Sequence, residues 1–432
     1  MTAESAPRTA LVFPGQGSQL PGMGQELAQV FPAAREVYER ASGILGYDLL
    51  AASRDDHGEL SDTTVVQPAI LVHSVASWHV LRDESQGFGE VVALAGHSLG
   101  EISALVCAQA LDLERAVTLV QRRARLMAES PSGGMRVVFG LGPDEVGRAC
   151  ARVSRPGHVV ATANVNSDEQ TVISGHRPAL EAVSARLQDM GGVVRGLPVS
   201  VAPHSPLMEA VAAPYAEAVR AAEPGDCVVP VVSSTDGVSY RGGSEAAERL
   251  VRQLTECVSW PAAVRGLLGH GARIVVELGP KTVLRDLTRT MAPGLTVLSC
   301  GDPGTVTAAS RFLASARRRP ANVPVNRGTA ENFLTGCLRL AIGTPFPHLA
   351  TEEEFENGVR EPYEELRRTL AMVRARAAGA ADGAGTDVLT GAARRVMALL
   401  EAKGIEEELR RELVGDLAVA AGVGDEVMAC LV

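Results

Sequence analysis

The 432-residue sequence has few aromatic side chains, no excess of positive charge and no closely spaced cysteine pairs. Aromatic residues make up 3% of the chain and hydrophobic residues 46%, so we expect a large core built mostly from aliphatic side chains. The formal net charge of −10 argues against general binding of nucleic acids, because their phosphates select basic surfaces. Length alone favours two or three domains.

Signals for export or membrane insertion are also missing from the sequence. We find no run of about 18 apolar residues that would predict a transmembrane helix, and the polar stretch Met1–Thr9 lacks the layout of a secretory signal. The seven cysteines include no C-x-x-C pair, so we expect free thiols in a reducing compartment and neither disulfides nor metal ligands. These absences predict a cytoplasmic protein without a metal site or membrane contact.

The stretch Val91–Glu101 is the most informative part of the chain. An apolar run ends there in Gly-His-Ser-Leu-Gly and is followed by helix-forming residues. A Gly-x-Ser-x-Gly motif between a strand and a helix is typical of a nucleophile elbow, which makes Ser98 a candidate nucleophile. The N–H of Leu99 would open the helix and supply half an oxyanion hole. The motif alone is moderately specific, because glycine and serine also favour ordinary turns.

The periodicity predicts an α/β fold in three parts. A large α/β domain is expected over residues 1–132 and 200–318. Between its halves, residues 133–199 predict the order βαββαβ, which is typical of an inserted ferredoxin-like subdomain. Residues 319–432 carry no catalytic motif and are expected to form an α-helical extension.

Within this extension, a capping box at 351–354 predicts a helix to about Ala378 that Pro362 breaks or kinks. The Ala- and Gly-rich residues 379–386 are expected to be flexible. Residues 387–432 predict two or three short helices.

Four separated motifs together resemble the malonyl-CoA:acyl-carrier-protein transacylase family, which includes the fatty-acid enzyme and the acyltransferases of polyketide synthases. They are Gln16 in Gly-Gln-Gly-Ser-Gln, Ser98 in Gly-His-Ser-Leu-Gly-Glu, Arg123 in Arg-Ala-x-Leu-Met, and His204 in Pro-His-Ser-Pro-Leu-Met. The resemblance spans about residues 9–315, and the ordered set is far more specific than any single motif. It implies that the large domain is α/β-hydrolase-like and that it carries the inserted ferredoxin-like subdomain that the periodicity also predicts.

The resemblance implies a catalytic dyad of Ser98 and His204. A main-chain carbonyl would orient His204 in place of the carboxylate of a triad, and it is expected near Ser259. The main-chain N–H groups of Gln16 and Leu99 would form the oxyanion hole, whose donors are each typically worth about 10²–10³ in rate.

The resemblance also assigns a substrate-binding role to Arg123. A guanidinium can bind the free carboxylate of a malonyl group through two parallel hydrogen bonds. Gln67 and Asn166 match positions that line the family's active site, and Leu99 favours malonyl, since methylmalonyl-selecting relatives usually have Gln there. Val201–Pro203 depart from the bulky Phe that malonyl-selecting polyketide relatives often have before the histidine. A substituted malonyl group therefore stays open as a substrate.

The implied function is transfer of a malonyl group from CoA to the phosphopantetheine thiol of an acyl carrier protein, without metal or redox cofactor, for polyketide or fatty-acid synthesis. Two alternatives stay open, an acyl-thioester hydrolase and a non-catalytic scaffold that docks carrier proteins. The carrier could dock on a basic patch that includes Arg317, Arg318 and Arg319, although such a run is also typical of a solvated helix end.

Overall fold

The structure is a computed structural model that describes residues 8–85, 88, 90–317, 331–338, 360–377, 386–402, 405, 407–421 and 423. The chain divides into two compact units, one over Ser5–Ala314 and the other including Ser315–Val432. The division falls a few residues before the predicted boundary at 318/319. Both the α/β character of the first unit and the helices of the second agree with the predicted fold class.

The strands of the first unit are β1 (Arg8–Phe13), β2 (Glu90–Gly96), β3 (Gly134–Phe139), β4 (Val160–Ser167), β5 (Gln170–Gly175), β6 (Val193–Gly196), β7 (Val231–Val232), β8 (Ser239–Tyr240), β9 (Val258–Ser259), β10 (Ile274–Leu278) and β11 (Thr296–Cys300). Its helices are α1 (Gln25–Val30), α2 (Pro32–Leu45), α3 (Leu49–Ala52), α4 (Thr63–Glu84), α5 (Gly100–Cys107), α6 (Leu113–Glu129), α7 (Pro143–Val153), α8 (Arg177–Asp189), α9 (Glu209–Ala222), α10 (Gly243–Gln253), α11 (Trp260–Gly269), α12 (Val283–Met291) and α13 (Pro303–Arg317). Short 3₁₀ turns lie at Glu59–Ser61 and Pro206–Met208.

The larger sheet has six strands in the order β11-β10-β1-β2-β7-β8. All neighbours pair in parallel except β7 and β8, which are antiparallel. Strands β1 and β10 are buried over almost their whole length, as expected for a parallel sheet that is covered on both faces. The carboxyl ends of β1 and β2 therefore meet at one edge, which brings the loop after Phe13 beside the turn after Gly96.

Helix α4 is the one helix in the described part of the chain that is long and apolar enough to cross a membrane by length and composition. Of its apolar window, 78% is buried inside the protein, as in the core helix of a globular domain. Burial on nearly all sides also explains why its sequence shows little amphipathic pattern.

The smaller sheet has the order β6-β3-β5-β4-β9. Its first four strands are antiparallel neighbours, and helices α7 and α8 share a core with them, which is the predicted ferredoxin-like arrangement. The fifth strand, β9, comes from the large domain and pairs in parallel with β4. Sequence patterning missed β9, because a strand of two residues is defined only by its partner.

The second unit has helices at Glu361–Ala377, Thr386–Ala402 and Glu407–Ala421, and residues 331–338 are also helical. Pro362 lies in the first turn of its helix, where proline is tolerated. The predicted break or kink concerns the residues before it, and residues 351–359 lie outside the described residues. The predicted capping box at 351–354 and residues 379–385 lie outside the described residues. The apolar core of this unit includes Phe333, Leu334, Cys337, Leu366, Leu370, Leu389, Val396, Leu400 and Val414.

Candidate active site

Ser98 lies in the sharp turn between β2 and α5, with a left-handed φ of +52°. Glycine is required on both sides of this turn. A Cβ on Gly96 would lie 1.9 Å from the carbonyl carbon of Gly100, and a Cβ on Gly100 would lie 2.0 Å from the carbonyl oxygen of Phe13. The two glycines thus let strand and helix approach closely enough to hold the serine in a strained conformation at the carboxyl edge of the sheet.

His204 is the histidine that contacts this serine. Its Nε2 lies 2.7 Å from Ser98 Oγ, and its Nδ1 lies 2.7 Å from the carbonyl oxygen of Gln253. A carbonyl can only accept, so Nδ1 carries the proton and Nε2 is free to accept the serine proton. Burial and the positive charge of Arg123 lower the pKa of His204 to about 3, which keeps the imidazole neutral at physiological pH.

The carbonyl that orients His204 differs from the predicted one. It belongs to Gln253, the last residue of α10, whereas Ser259 lies in β9 and pairs with Val165 of the small sheet. The orienting acceptor is a main-chain carbonyl, as predicted, but the predicted residue is wrong. A main-chain carbonyl leaves no signature in the sequence, since any residue type could supply it.

Arg123 is the member of the run Gln121–Arg125 that points inward beside the nucleophile. It is buried, while Arg122 and Arg125 are exposed, as the helical period of α6 requires. Its Nη2 donates to Ser98 Oγ at 3.2 Å and its Nη1 donates to Gln67 Oε1 at 2.6 Å. Its Nε has no hydrogen-bond partner among the described residues, so the guanidinium keeps a donor for a ligand.

Gln67 holds this arginine in place from helix α4. Its side chain is buried and donates from Nε2 to Thr63 Oγ1 at 2.8 Å, which fixes the amide so that Oε1 faces Arg123. The predicted site residue Gln67 therefore contacts the arginine and not the nucleophile.

Asn166 reaches the site from β4 of the small sheet. Its Oδ1 lies 3.1 Å from Nε2 of His97, the residue before the nucleophile. Burial lowers the pKa of His97, so this ring is neutral as well. This hydrogen bond links the inserted subdomain to the elbow. The position of His97 inside the Gly-x-Ser-x-Gly motif was the one feature of the sequence that pointed to a role for this histidine.

Gln16 is exposed in the loop that follows β1, and its neighbour Gly15 lies directly against the elbow. A Cβ on Gly15 would lie 2.5 Å from the carbonyl oxygen of His97, so this approach also depends on a glycine. Within the turn that follows Ser98, the N–H of Gly100 donates to the carbonyl of His97, and the N–H of Glu101 donates to the carbonyl of Ser98. The N–H of Leu99 does not take part in these bonds.

A buried carboxylate, which sequence analysis did not single out, lies behind the dyad. Glu101 has no exposed surface and accepts hydrogen bonds from the N–H and hydroxyl of Ser234, the hydroxyl of Tyr240 and the side-chain amide of Gln253. Burial raises the pKa of Glu101, and these four hydrogen bonds oppose that rise. The sequence feature that could have identified Glu101 is its place at the end of the Gly-His-Ser-Leu-Gly-Glu motif.

Within the described residues, no group of three or more His, Cys, Asp or Glu side chains could hold a metal ion. A strained serine, a neutral histidine and a buried arginine at the carboxyl edge of a parallel sheet are the groups that a serine-dependent acyl transfer would use.

Comparisons with known proteins lead to the same class. The acyl transferase domain family matches residues 10–300. The malonyl CoA-acyl carrier protein transacylase of Salmonella typhimurium is 38% identical over 306 residues, which cover 69% of this chain and 98% of the relative. The chain belongs to the acyl transferase domain family, and the resemblance to malonyl-CoA:acyl-carrier-protein transacylases is confirmed.

Solved structures agree with this assignment. The malonyl CoA-acyl carrier protein transacylase of Coxiella burnetii superposes with a TM-score of 0.69 at 33% identity, covering 72% of this chain and 100% of that one. A malonyl-transacylase solved in complex with a type II polyketide-synthase acyl carrier protein has a TM-score of 0.67 at 36% identity, covering 70% and 98%.

Proposed function

We propose that this chain transfers a malonyl group from CoA to the phosphopantetheine thiol of an acyl carrier protein, through an ester on Ser98. The observation that carries the proposal is the contact of Arg123 with the nucleophile, 3.2 Å from Nη2 to Ser98 Oγ. A buried cation at the nucleophile suits an acyl group with its own negative charge. The names of the relatives support the same substrate and carrier.

The first half-reaction acylates the enzyme. His204 Nε2 accepts the hydroxyl proton as Ser98 Oγ attacks the thioester carbonyl. The main-chain N–H groups of Gln16 and Leu99 stabilise the oxyanion of the tetrahedral intermediate. The bond to sulfur then breaks, and CoA leaves as a thiol with the proton that His204 had taken.

The second half-reaction reverses these roles. The carrier's thiol gives its proton to His204 and attacks the ester carbonyl, and Ser98 leaves with that proton. Only side-chain and main-chain groups of this chain act in these steps, so we propose that the reaction needs no metal or redox cofactor. We further propose that the reaction takes place in the cytoplasm and serves fatty-acid or polyketide synthesis.

The substrate carboxylate would also change the electrostatics of the dyad. In the free protein the charge of Arg123 opposes protonation of His204, whose pKa lies far below its ordinary value. A carboxylate bound to the guanidinium would cancel part of this charge and make His204 a stronger base. Malonyl groups would then be favoured in the chemical step as well as in binding, whereas uncharged acyl groups would be favoured in neither.

Mass spectrometry of the Ser98 peptide, after exposure to a panel of acyl-CoAs, tests this function. We expect a malonyl ester in the wild type and none in Ser98→Ala. A methylmalonyl ester of equal yield would extend the substrate to substituted malonyl groups, which Val201 and Ala202 leave open because they are smaller than Phe. A wild-type chain that forms no ester with any acyl-CoA would contradict the proposal and favour a non-catalytic scaffold.

A further inference from the structure

The carboxylate of Glu101 is connected to the catalytic histidine through a single residue. Gln253 Nε2 donates to Glu101 Oε2 at 2.8 Å, and the main-chain oxygen of the same Gln253 accepts the Nδ1 proton of His204 at 2.7 Å. The side chain of Gln253 thus contacts the buried carboxylate, and its main-chain carbonyl contacts the catalytic base. A triad would bring its carboxylate to the histidine directly.

The surroundings of Glu101 indicate that this carboxylate is an acceptor. Its remaining partners are Ser234, through N–H at 3.0 Å and hydroxyl at 2.7 Å, and the Tyr240 hydroxyl at 2.8 Å. The main-chain N–H of Ser234 and Nε2 of Gln253 can only donate, and both hydroxyls can also donate. The ion pairs found among the described residues do not include Glu101. Four converging donors and no cation suit a negative charge held by hydrogen bonds alone.

These contacts join the elements that carry the two halves of the dyad. Glu101 is in the first turn of α5, the helix that opens immediately after Ser98. Gln253 ends α10, and the N–H of His204 donates to the carbonyl of the next residue, Leu254, at 3.0 Å. Glu101 therefore connects the end of α10, which contacts His204, to the helix that begins after the turn at Ser98.

We propose that Glu101 is a positioning residue for acyl transfer: its buried carboxylate fixes Gln253, whose main-chain carbonyl sets the tautomer and orientation of His204. The inference rests on the proposed function, since it assumes that His204 is the base in both half-reactions. Loss of this support moves the base against its nucleophile, and a displacement of about 1 Å can cost about a hundredfold in rate.

The test exchanges the two side chains. Glu101→Gln weakens the contact with Gln253, because a charged hydrogen bond becomes neutral, and should lower kcat about tenfold with KM for malonyl-CoA unchanged. Gln253→Glu places two carboxylates face to face and should lower kcat about a hundredfold. The double variant restores one amide and one carboxylate, and its kcat should rise at least about tenfold above that of Gln253→Glu.

The pH dependence separates positioning from a loss of folding. Two facing carboxylates share a proton, and a like charge raises the pKa of a carboxyl group. In Gln253→Glu, kcat should therefore fall as pH rises and the shared proton is lost. The wild type and the double variant should lack this fall.

Glu277→Gln is the matched control. Glu277 is also fully buried, but it accepts from the main-chain N–H groups of Leu284 and Arg285 at the start of α12. This control should lose stability and keep its kcat. Wild-type kcat in Glu101→Gln, or no rescue in the double variant, would overturn the inference while wild-type acylation of Ser98 still stood. Absence of wild-type acylation would instead refute the proposed function.

Discussion

Arg123 is the side chain on which the proposed choice of substrate depends. Of the three arginines in its run, Arg123 is the one that the period of α6 turns inward, where Gln67 orients it and Ser98 lies within hydrogen-bond distance. The sequence predicted a role for Arg123 because its motif belongs to an ordered set of four, which is far more specific than any one of them. It could not predict the contact with Gln67, which comes from another helix 56 residues away in the chain.

Replacement of Arg123 should slow acylation by a charged acyl group and leave acylation by a neutral acyl group unaffected. In Arg123→Ala, kcat/KM for malonyl-CoA should fall about a hundredfold, since charged hydrogen bonds worth about 3 kcal/mol are lost. Acylation by acetyl-CoA should not fall, because the acetyl group has no carboxylate for the guanidinium to bind. Rates of Ser98 acylation with the two thioesters check this, and an equal loss for both would contradict the assigned role.

The low pKa of His204 predicts that the rate of acylation does not fall at mildly acidic pH. Only the neutral imidazole can accept the Ser98 proton, and the pKa of the buried ring is lowered from 6.5 to about 3. Therefore kcat/KM for malonyl-CoA, which reports the free enzyme, should stay constant as pH falls from about 8 to about 5. Stopped-flow acylation over this range checks it. A loss of rate centred near pH 6.5 would mean that the histidine titrates as in solution.

Among the secondary-structure elements, the close approach of β2 and α5 positions the nucleophile. The sequence predicted this elbow because glycine spacing reports a tight strand–helix contact directly. It placed the orienting carbonyl at Ser259 and missed Gln253, because main-chain atoms carry no residue identity. The strand β9 was missed for a related reason, since its pairing with β4 is a tertiary contact.

A methyl group at the elbow should disrupt this contact. In Gly100→Ala the new Cβ would meet the carbonyl oxygen of Phe13, and the unfolding free energy should fall by about 3 kcal/mol. Gly43→Ala is the control, because Gly43 lies in α2 with open space around its Cβ position, and alanine there should be neutral or stabilising by up to about 1 kcal/mol. Urea unfolding of both variants checks this, and equal stabilities would count against the steric account.

At the scale of the whole molecule, the site belongs to one of two compact units. Every residue assigned to the chemistry lies within Ser5–Ala314, and the family match ends at residue 300. The second unit has a hydrophobic core of its own. The sequence predicted a boundary at 318/319 from the run of arginines and the proline at 317–320, and two or three short helices over 387–432, where the structure describes helices at Thr386–Ala402 and Glu407–Ala421.

A chain ending at Arg317 keeps α13 whole and should therefore retain the chemistry. We expect its kcat/KM for Ser98 acylation to stay within about threefold of the full chain, because domains of this size with their own core act independently. Side-by-side acylation kinetics, with circular dichroism to establish folding, check this. A folded but inactive truncated chain would mean that the second unit contributes to the site.

The central claim is that Ser98 carries a malonyl group to a carrier thiol. The most direct measurement isolates the malonyl-enzyme, free of CoA, and mixes it in a single turnover with a carrier protein bearing phosphopantetheine. The account predicts that the ester on Ser98 disappears as an equal amount of malonyl-carrier forms, and that a carrier lacking phosphopantetheine gives no transfer. Release of free malonate in place of malonyl-carrier would contradict the account and identify the chain as a thioester hydrolase.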